Sequence, residues 1–406
     1  MKSIEGQLDI DIYPPYKNVA RNAAKNTAKN TARVDLKSSR PLQAAKIFIG
    51  KTPEQALEII PLLFNICGIA QSRAALIAIE KSLGIKSRDE LETARDMLLL
   101  VENAKEHLMR IFIDWPAFFE LKVNPNKLPY LSQVLPVFKS TLFHEAQAFN
   151  LHSRLNDEFT HADYLIDKLE QYLQEHVFTQ SCEDWLQIQD IQQLRQWAQQ
   201  CDSIAAHSIR FICEQGWASQ GQTDCRQLPE LDEKILLEKF SASDAQQFIE
   251  QPQWQHKCYE TTTLSRQFEQ PLIRSLRKEF HSTLITRWLA RLVELARIPG
   301  QLRDMQQQLK QQHESTAHDS SEKKSPGLAQ VEAARGRLIH HLEIEQGIIS
   351  NYQILAPTEW NFHPQGLVAK SLCSLAGSNP GDEIEKLAHM MINTIDPCVG
   401  YQLRVH

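Results

Sequence analysis

The spacing of apolar residues predicts a mainly helical chain with a small β part. Near the start, Leu8, Ile10 and Ile12 share one parity while acidic or amide residues take the other, which is typical of a half-buried strand. A pair of prolines after Tyr13 would end that strand. From residue 52 to about residue 312 the spacing is helical instead. The pattern therefore predicts an α+β fold in which helices form the body.

One helix has a recognisable start signal, and five further stretches show helical periodicity. Thr52 can cap a helix that has Pro53 at its first position and Gln55 three residues further on. A chain with only 14 glycines in 406 residues suits such a fold. The further stretches are Arg73 to Leu83, Glu90 to Ile113, Ala162 to His176, Ile191 to Cys213 and Phe268 to Ala296.

After the helical region the pattern changes to a polar stretch and then to short alternating runs. The stretch from Gln311 to Gly327 is rich in serine and lysine and predicts an exposed linker. Alternation around Gln346-Gly347 predicts a β-hairpin, and a final helix is expected from about Asp382 to Asn393. We therefore divide the chain into an N-terminal strand segment with a basic insertion (1–50), a helical body (51–310), an exposed linker (311–328) and a C-terminal segment (329–406).

Charge and composition exclude several classes of function. The net charge is −6, from 44 basic and 50 acidic residues, so a general nucleic-acid binder is not expected. No apolar run approaches the ~18 residues that a transmembrane helix needs, and we expect no membrane insertion. Eight cysteines in 406 residues are too few for a disulfide scaffold, which makes the cytoplasm the expected compartment.

The N-terminal segment contains a short tandem repeat, AKNTAKNTA, from Ala24 to Ala32. Basic residues recur at every fourth position from Lys17 to Lys37 and would form a stripe on a helix. Like charges at that spacing repel each other. A solvated insertion is therefore the simpler interpretation, and a site for an acidic partner is the alternative.

Two of the cysteines stand at positions that favour chemistry. Cys67 lies at the expected entrance to a helix, and Cys398 follows Asp396-Pro397 just past the last predicted helix. A helix N-terminus lowers the pKa of a thiol and favours the thiolate, which is the form that binds metals. Taken alone, each cysteine is more simply explained as a small buried apolar side chain. The other six match no zinc-binding pattern, and we interpret them as structural.

Several short segments, spread from one chain end to the other, match sequence motifs of a known family. They are Ile4-Glu5-Gly6-Gln7-Leu8, Gly50-Lys51-Thr52-Pro53, Asn65-Ile66-Cys67-Gly68, Ala334-Arg335-Gly336-Arg337-Leu338-Ile339-His340, Asn351-Tyr352-Gln353 with Pro357-Thr358-Glu359-Trp360-Asn361, and Asp396-Pro397-Cys398. In this order they resemble the large subunit of nickel–iron hydrogenases. The resemblance implies a helical body with strands from both chain ends, and a buried site that would bring Cys67 and Cys398 together.

The chain departs from that family at the metal ligands. Catalytic members bind nickel and iron through two Cys-x-x-Cys pairs, and here Ala70 and Tyr401 take the second position of each pair. The family's Arg-x-x-Glu motif, which supplies a carboxylate to a magnesium site, appears at best as Arg40-Pro41-Leu42-Gln43, and an amide is a poor substitute for that carboxylate. With two thiolates lost, the four soft ligands of the nickel–iron centre are no longer available. We therefore expect no hydrogenase catalysis and no nickel.

The run Cys67-Gly68-Ile69-Ala70-Gln71 resembles the HupK/HoxV-type branch of the family, which consists of accessory proteins in hydrogenase maturation. The resemblance implies a non-catalytic scaffold that holds an iron–dicyanide–carbonyl unit before its transfer. It further implies three partners, namely a HypC-type chaperone, a HypD-type iron-cofactor assembly protein and the precursor of the hydrogenase large subunit. A metal-free module that docks maturation factors is the alternative interpretation.

The same resemblance assigns roles around the iron unit. Cys67 and Cys398 would be its thiolate ligands, since low-spin iron with cyanide and carbonyl ligands favours soft donors. Arg335 matches an arginine beside the diatomic ligands, Thr358 matches a hydroxyl that donates to a cyanide, and Asp396 would hold the arginine. Cys67 and Cys398 both match the first cysteine of a pair, and in the family that first cysteine binds only nickel. The position of the iron therefore cannot be transferred from the family to this chain. An exposed loop arginine and two turn or cap residues are the alternatives.

Overall fold

The computed structural model describes residues 6–15, 31–41, 43–314, 324–379 and 381–406. None of the described helices is both long and apolar enough to cross a membrane. The described strands are β1 (Leu8–Tyr13), β2 (Arg33–Ser38), β3 (Arg226–Gln227), β4 (Tyr259–Glu260), β5 (Gly327–Ala333), β6 (Gly336–Glu345), β7 (Ile348–Leu355) and β8 (Tyr401–Val405). The described helices are α1 (Pro53–Leu63), α2 (Gly68–Leu83), α3 (Asp89–Met109), α4 (Trp115–Phe118), α5 (Leu128–Leu142), α6 (Ala162–Leu173), α7 (Cys182–Leu186), α8 (Ile191–Gln200), α9 (Ile204–Glu214), α10 (Glu233–Ser241), α11 (Ala245–Glu250), α12 (Thr263–Gln267), α13 (Pro271–Phe280), α14 (Leu284–Glu314), α15 (Pro357–Asn361), α16 (Leu367–Ser378) and α17 (Gly381–Ile395).

Part of the N-terminal segment lies outside the described residues. This holds for Glu5, for the Ala24–Ala32 repeat up to residue 30 and for the basic positions from Lys17 to Lys29. The last two basic positions, Arg33 and Lys37, lie on β2. They belong to a strand, so a helical stripe is wrong for these two residues.

Both ends of the chain meet in one sheet with the strand order β2-β1-β8. β1 pairs antiparallel with β2 and parallel with β8, where Leu8 lies opposite Tyr401. The alternation expected for β1 is confirmed, because Leu8, Ile10 and Ile12 are almost completely buried. The sheet therefore ties the C-terminal strand, and the Asp-Pro-Cys motif just before it, to the start of the chain.

A second sheet is a meander of β5, β6 and β7 that packs on α2. Its β6–β7 connection is the predicted turn, in which Gln346 and Gly347 have φ values of +50° and +81°. Two-residue turns with positive φ match the twist of the strands that they join. On α2, Ala70 and Ala74 are fully buried in the same cluster as Leu338 of β6. Small side chains at these places let the helix approach the sheet closely.

The main core lies among the helices of the body, where α14 packs against α3 and α6. Nearly all residues of α14 from Leu284 to Pro299 are buried, which is typical of a helix that runs through the middle of a large core. The rings of Trp115 and Trp288 stack there with centroids 4.2 Å apart. The predicted fold class, a helical body with a small β part from both chain ends, is confirmed.

Two of the predicted helical stretches are interrupted in the structure. The stretch Ile191 to Cys213 forms α8 and α9, because Ser203 leaves the helical conformation and its side chain accepts the N–H of Ala206 as a cap. The stretch Phe268 to Ala296 contains α13 and the start of α14, with a break at His281, where φ is +60°. Apolar periodicity continues across both breaks, so the pattern alone does not reveal them.

The linker expected at 311–328 is shorter at both of its ends. Helix α14 continues to Glu314, and β5 begins at Gly327. Residues 315–323 of this stretch lie outside the described residues. The expected boundaries after 310 and before 329 thus fall inside regular elements.

We expect Gly336→Ala to destabilise the fold much more than Gly347→Ala. Both glycines have positive φ (+127° and +81°), but a Cβ atom at Gly336 would lie 1.7 Å from the carbonyl oxygen of Thr261, whereas Gly347 has open space within 4 Å. Gly347→Ala should lower the free energy of unfolding by about 1–2 kcal/mol through backbone strain. Gly336→Ala should lower it by about 3 kcal/mol or more through strain and overpacking together. Urea unfolding measures both losses, and equal losses would contradict the close contact.

Candidate functional site

Cys67 and Cys398 line the same cavity, which has a volume of about 150 Å³. Cys67 lies in a short turn before α2, and Cys398 lies between α17 and β8. The fold therefore brings together two cysteines that are far apart in sequence. Besides these thiols, the cavity wall contains the polar side chains of Arg40, Gln71 and Glu359 among otherwise apolar residues.

A chain of hydrogen bonds between uncharged side chains leads from Cys67 into the second sheet. The amide nitrogen Nε2 of Gln71 lies 3.7 Å from Sγ of Cys67. Burial lowers the pKa of His340 to about 3, so its ring is neutral. Its Nε2 lies 2.8 Å from Oε1 of Gln71, and its Nδ1 lies 2.9 Å from the hydroxyl of Tyr352. His340 is therefore a buried partner that orients Gln71 towards the sulfur.

The electrostatic setting of Cys67 differs from the sequence-based expectation. The first N–H groups of α2, those of Ile69 and Ala70, donate to the carboxylate of Glu102 at 2.8 and 3.0 Å. Burial raises the pKa of Glu102 to about 7. Burial also raises the pKa of the Cys67 thiol, and the fields of Cys398 and Glu102 add to this effect. The expectation of a lowered thiol pKa is therefore wrong for Cys67, which keeps its proton at neutral pH.

Thr358 contacts the second cysteine directly. Its hydroxyl oxygen lies 2.7 Å from Sγ of Cys398, and it accepts the backbone N–H of Cys398 at 3.3 Å. Thr358 lies in α15, directly after β7, and its side chain is buried. The interpretation as a mere turn residue therefore does not hold, because the hydroxyl positions the sulfur and its backbone.

Three arginines surround the buried carboxylate of Asp396. The distances from its oxygens are 3.0 Å to Nε of Arg110, 3.3 Å to Nε of Arg335 and 3.6 Å to Nη2 of Arg291. Burial alone would raise the pKa of this carboxyl group, but the fields of Arg335, Arg110 and Arg291 hold it below its ordinary value. The backbone of Asp396 has φ +63°, a strained value for a residue other than glycine. The charge cluster therefore fixes the chain two residues before Cys398.

Arg335 is buried and keeps donors available. Its Nη2 donates to Oε2 of Glu106 at 3.0 Å. Its Nη1 is buried and has no hydrogen-bond partner within the described part of the chain. The charge of Arg335 acts on Cys67, where it opposes the rise in the thiol pKa. Of the predicted site residues, Arg335, Thr358 and Asp396 do not line the cavity of the two cysteines, although Arg335 acts on Cys67 through its charge.

Arg40 and Glu359 form an ion pair in the cavity wall that the sequence did not reveal. The sequence offered Arg40 only as part of a degraded magnesium motif with Gln43. In the structure its guanidinium group lies close enough to Cys67 and Cys398 for their fields to act on it. The one available signal was Glu359, an acidic residue inside an otherwise apolar and hydroxyl-bearing segment.

The cavity offers two thiols and no complete set of metal ligands. Across the described ranges, no group of three or more histidine, cysteine, aspartate or glutamate side chains is arranged to hold a metal ion. Ala70 is buried against the second sheet, and the hydroxyl of Tyr401 lies 2.8 Å from Nδ1 of His389. Ala70 and Tyr401 thus serve packing and hydrogen bonding in this structure. A metal bound here would have to bring ligands of its own.

A family model described as nickel-dependent hydrogenase matches residues 155–402. This is more than half of the chain, so the protein belongs to the nickel-dependent hydrogenase family. Over most of its length it is similar to hydrogenase expression/formation proteins. HoxV of Cupriavidus necator is 28% identical, with 90% of this chain and 91% of that protein covered. HupK of Azotobacter vinelandii is 25% identical, with 92% and 94% covered.

Solved structures agree at the level of the fold. The Ni-Fe-Se hydrogenase from D. vulgaris Hildenborough superimposes with a TM-score of 0.61 at 14% identity, over 91% of this chain and 93% of that chain. An NAD+-reducing nickel–iron hydrogenase gives a TM-score of 0.57, also at 14% identity, over 91% and 92%. The resemblance seen in the sequence is confirmed, and so is the hydrogenase-like fold.

We expect Asp396→Asn to destabilise the protein strongly. The change leaves the buried guanidinium groups of Arg291 and Arg335, and the partly exposed one of Arg110, without their shared counter-charge. Breaking a buried charge pair costs about 3–5 kcal/mol. Asp163→Asn is a matched control, because Asp163 pairs with Lys310 but is 52% exposed. Its loss should stay below about 1 kcal/mol. Chemical unfolding of the two variants compares them, and a loss at Asp396 no larger than that of the control would refute the role of the charge cluster.

Proposed function

We propose that this protein is a non-catalytic scaffold in nickel–iron hydrogenase maturation, which holds an iron–dicyanide–carbonyl unit between Cys67 and Cys398. The observation that carries the proposal is the shared cavity, which two thiols line and where the described residues contain no group of three or more side chains arranged to hold a metal. The similarity to proteins named for hydrogenase expression and formation supports a role in maturation. Ala70 and Tyr401 in place of cysteines support the absence of catalysis.

The residues around the cavity suit such a cargo. An iron ion that arrives with three diatomic ligands needs only a few soft donors from the protein, and thiolates suit low-spin iron. A volume of about 150 Å³ is enough for a small molecule the size of benzene. Arg335 does not line the cavity, but the charges of both cysteines act on its guanidinium group, and its buried Nη1 has no hydrogen-bond partner among the described residues. Thr358 holds Cys398 in place and keeps a hydroxyl next to the sulfur.

The charges of the site also suit a thiolate complex. Iron(II) with two cyanides and one carbonyl has no net charge, so its complex with two thiolates carries two negative charges. Buried charges need partners of opposite sign. Arg40 and Arg335 both lie where the thiolate charges of Cys67 and Cys398 stabilise their guanidinium groups. Because Cys67 is a thiol at neutral pH, binding releases its proton, and capture should weaken as the pH falls.

Serine at either cysteine should abolish retention of the iron unit. A hydroxyl stays protonated at neutral pH and is a hard, poor ligand for low-spin iron, so Cys67→Ser and Cys398→Ser should each lose the cyanide and carbonyl infrared bands together with the iron. The proteins are made together with the maturation factors and purified without oxygen. Cys213→Ser on α9 is the matched control and should keep both signals. Unchanged bands in both site variants, with the helical content preserved, would refute the assignment.

A metal-free docking module is the second candidate, and the surface beside the cavity favours it. Ile47, Ile49 and Leu63 are 50%, 44% and 39% exposed, and Leu63 also lines the cavity. Apolar residues grouped on a surface often mark a contact site. We propose that a small HypC-type chaperone docks here, because the exposed Leu63 lines the same cavity as the two cysteines. A HypD-type assembly protein and the large-subunit precursor would then be the donor and the acceptor on either side of that step.

A charge at the cavity mouth should weaken the chaperone contact. Leu63→Glu places a carboxylate in the apolar wall of the cavity and should reduce capture of a HypC-type chaperone in a pull-down at least tenfold, which corresponds to about 1.4 kcal/mol. Val137→Glu on α5 is the control, since Val137 is 41% exposed but does not line the cavity. Equal capture by both variants would place the docking site elsewhere. Normal capture by the two serine variants, together with missing iron in the unaltered protein, would favour the metal-free module.

A further inference from the structure

A second pair of cysteines lines another cavity, which has a volume of about 510 Å³ and shares no lining residue with the first. Cys225 is only 5% exposed, whereas Cys258 is half-buried and can be reached from the cavity. Asp224 and Lys370 also line this cavity and form an ion pair of 2.8 Å. No part of the proposed scaffold function uses these groups.

The strand register brings the two thiols within reach of each other. β3 and β4 are parallel with Arg226 opposite Tyr259, and Cys225 and Cys258 each precede one of these residues. Neighbouring strands lie about 4.8 Å apart, and disulfides join Cα atoms about 4.4–6.8 Å apart. The thiol of Cys225 already donates to the carbonyl oxygen of Cys258, with an S–O distance of 3.6 Å.

Polar groups around Cys258 suit thiol chemistry. Its Sγ lies 3.3 Å from Nδ1 of His363, which also accepts the backbone N–H of Gln365 at 3.0 Å. Nδ1 therefore carries no proton and is an acceptor for the thiol. The other ring nitrogen, Nε2, is buried and has no hydrogen-bond partner within the ranges that the structure describes, and His363 is only 2% exposed. Burial raises the pKa of Cys225 and Cys258, and the ammonium group of Lys370 offsets part of this rise.

We propose that Cys258 and Cys225 form a redox-active dithiol that reacts with a low-molecular-weight disulfide such as glutathione disulfide. Cys258, the more accessible thiol, attacks the disulfide, so that one glutathione leaves as a thiol and the other stays bound to Cys258. Cys225 then attacks the sulfur of Cys258 and releases the second glutathione. In sum, two protein thiols become one disulfide, one glutathione disulfide becomes two glutathione thiols, and no proton is gained or lost.

The dithiol is connected to the loop that carries Arg335. Thr261, three residues after Cys258, accepts the backbone N–H of Arg337 through its hydroxyl at 2.8 Å. A Cβ atom at Gly336 would lie only 1.7 Å from the carbonyl oxygen of Thr261, so the two segments are in close contact. A disulfide at Cys258 therefore restrains a segment that packs directly on this loop. The dithiol chemistry stands independently of the proposed iron site, whereas a regulatory effect on that site rests on the proposed function.

Mass spectrometry of the full-length protein tests the dithiol. The reduced protein is exposed to glutathione disulfide, quenched with acid and an alkylating agent, and mapped by peptides. We expect one disulfide between Cys225 and Cys258 and no retained glutathione. Cys225→Ser should stop at a glutathione adduct on Cys258, and Cys258→Ser should give neither product at this site. Cys213→Ser is the control and should behave like the unaltered protein.

Three results would overturn the dithiol, namely a lasting glutathione adduct on Cys258 of the unaltered protein, a disulfide between other cysteines, or no reaction. Hydrogen exchange then tests the connection to Arg335. The amide of Arg337 should exchange more slowly in the oxidised protein and at an unchanged rate in Cys225→Ser treated in the same way. An unchanged rate in the oxidised protein would overturn the connection. Neither measurement uses iron, so a failure here is separate from a failure of the scaffold function.

Discussion

The buried carboxylate of Asp396 is the constraint on which the candidate site depends. It faces the guanidinium groups of Arg110, Arg291 and Arg335, which come from the π-helical turn after α3, from α14 and from the β5–β6 turn. Charges removed from water are stable only when they are paired, so the chain at Asp396 has to stay where the arginines reach it. The backbone accepts a left-handed conformation for this purpose. Since Cys398 follows two residues later, the same cluster fixes the position of its sulfur.

The surroundings of Cys67 do not favour a thiolate. The carboxylate of Glu102 accepts N–H groups in the first turn of α2, which would otherwise stabilise a thiolate at Cys67. The side chain that is hydrogen-bonded to the sulfur is the neutral amide of Gln71, which in turn bonds to the neutral ring of His340. Without metal, Cys67 is therefore a thiol in a largely apolar cavity. A metal has to displace the thiol proton, which makes binding weaker and more dependent on pH than at a preformed thiolate pair. Such a site is suited to reversible binding.

Local signals in the sequence predicted much of the fold. The capping box of Thr52 and Gln55, the alternation in β1 and the turn at Gln346-Gly347 are all present, because each depends on residues that are close in sequence. The breaks inside two helical stretches were not predictable from periodicity. The placement of Cys67 and Cys398 on one cavity followed from family resemblance alone. Contacts such as Arg40 with Glu359 join residues that are far apart in the chain, and no local pattern records them.

Ala70 and Tyr401 stand where the family resemblance implies cysteines in catalytic members. Both take part in the packing or hydrogen bonding of the fold. Ala70 fills a close contact between α2 and the second sheet, where a larger side chain would have to displace its neighbours. Tyr401 directs its hydroxyl to His389 and pairs in the strand ladder with Leu8. A cysteine restored at either place would therefore disturb packing or lose a hydrogen bond as well as add a sulfur. Cys67 and Cys398, by contrast, line one cavity together with Arg40, and the charge of Arg335 acts on Cys67. The cysteines therefore remain at a shared cavity, whereas Ala70 and Tyr401 take part in the packing and hydrogen bonding of the surrounding fold.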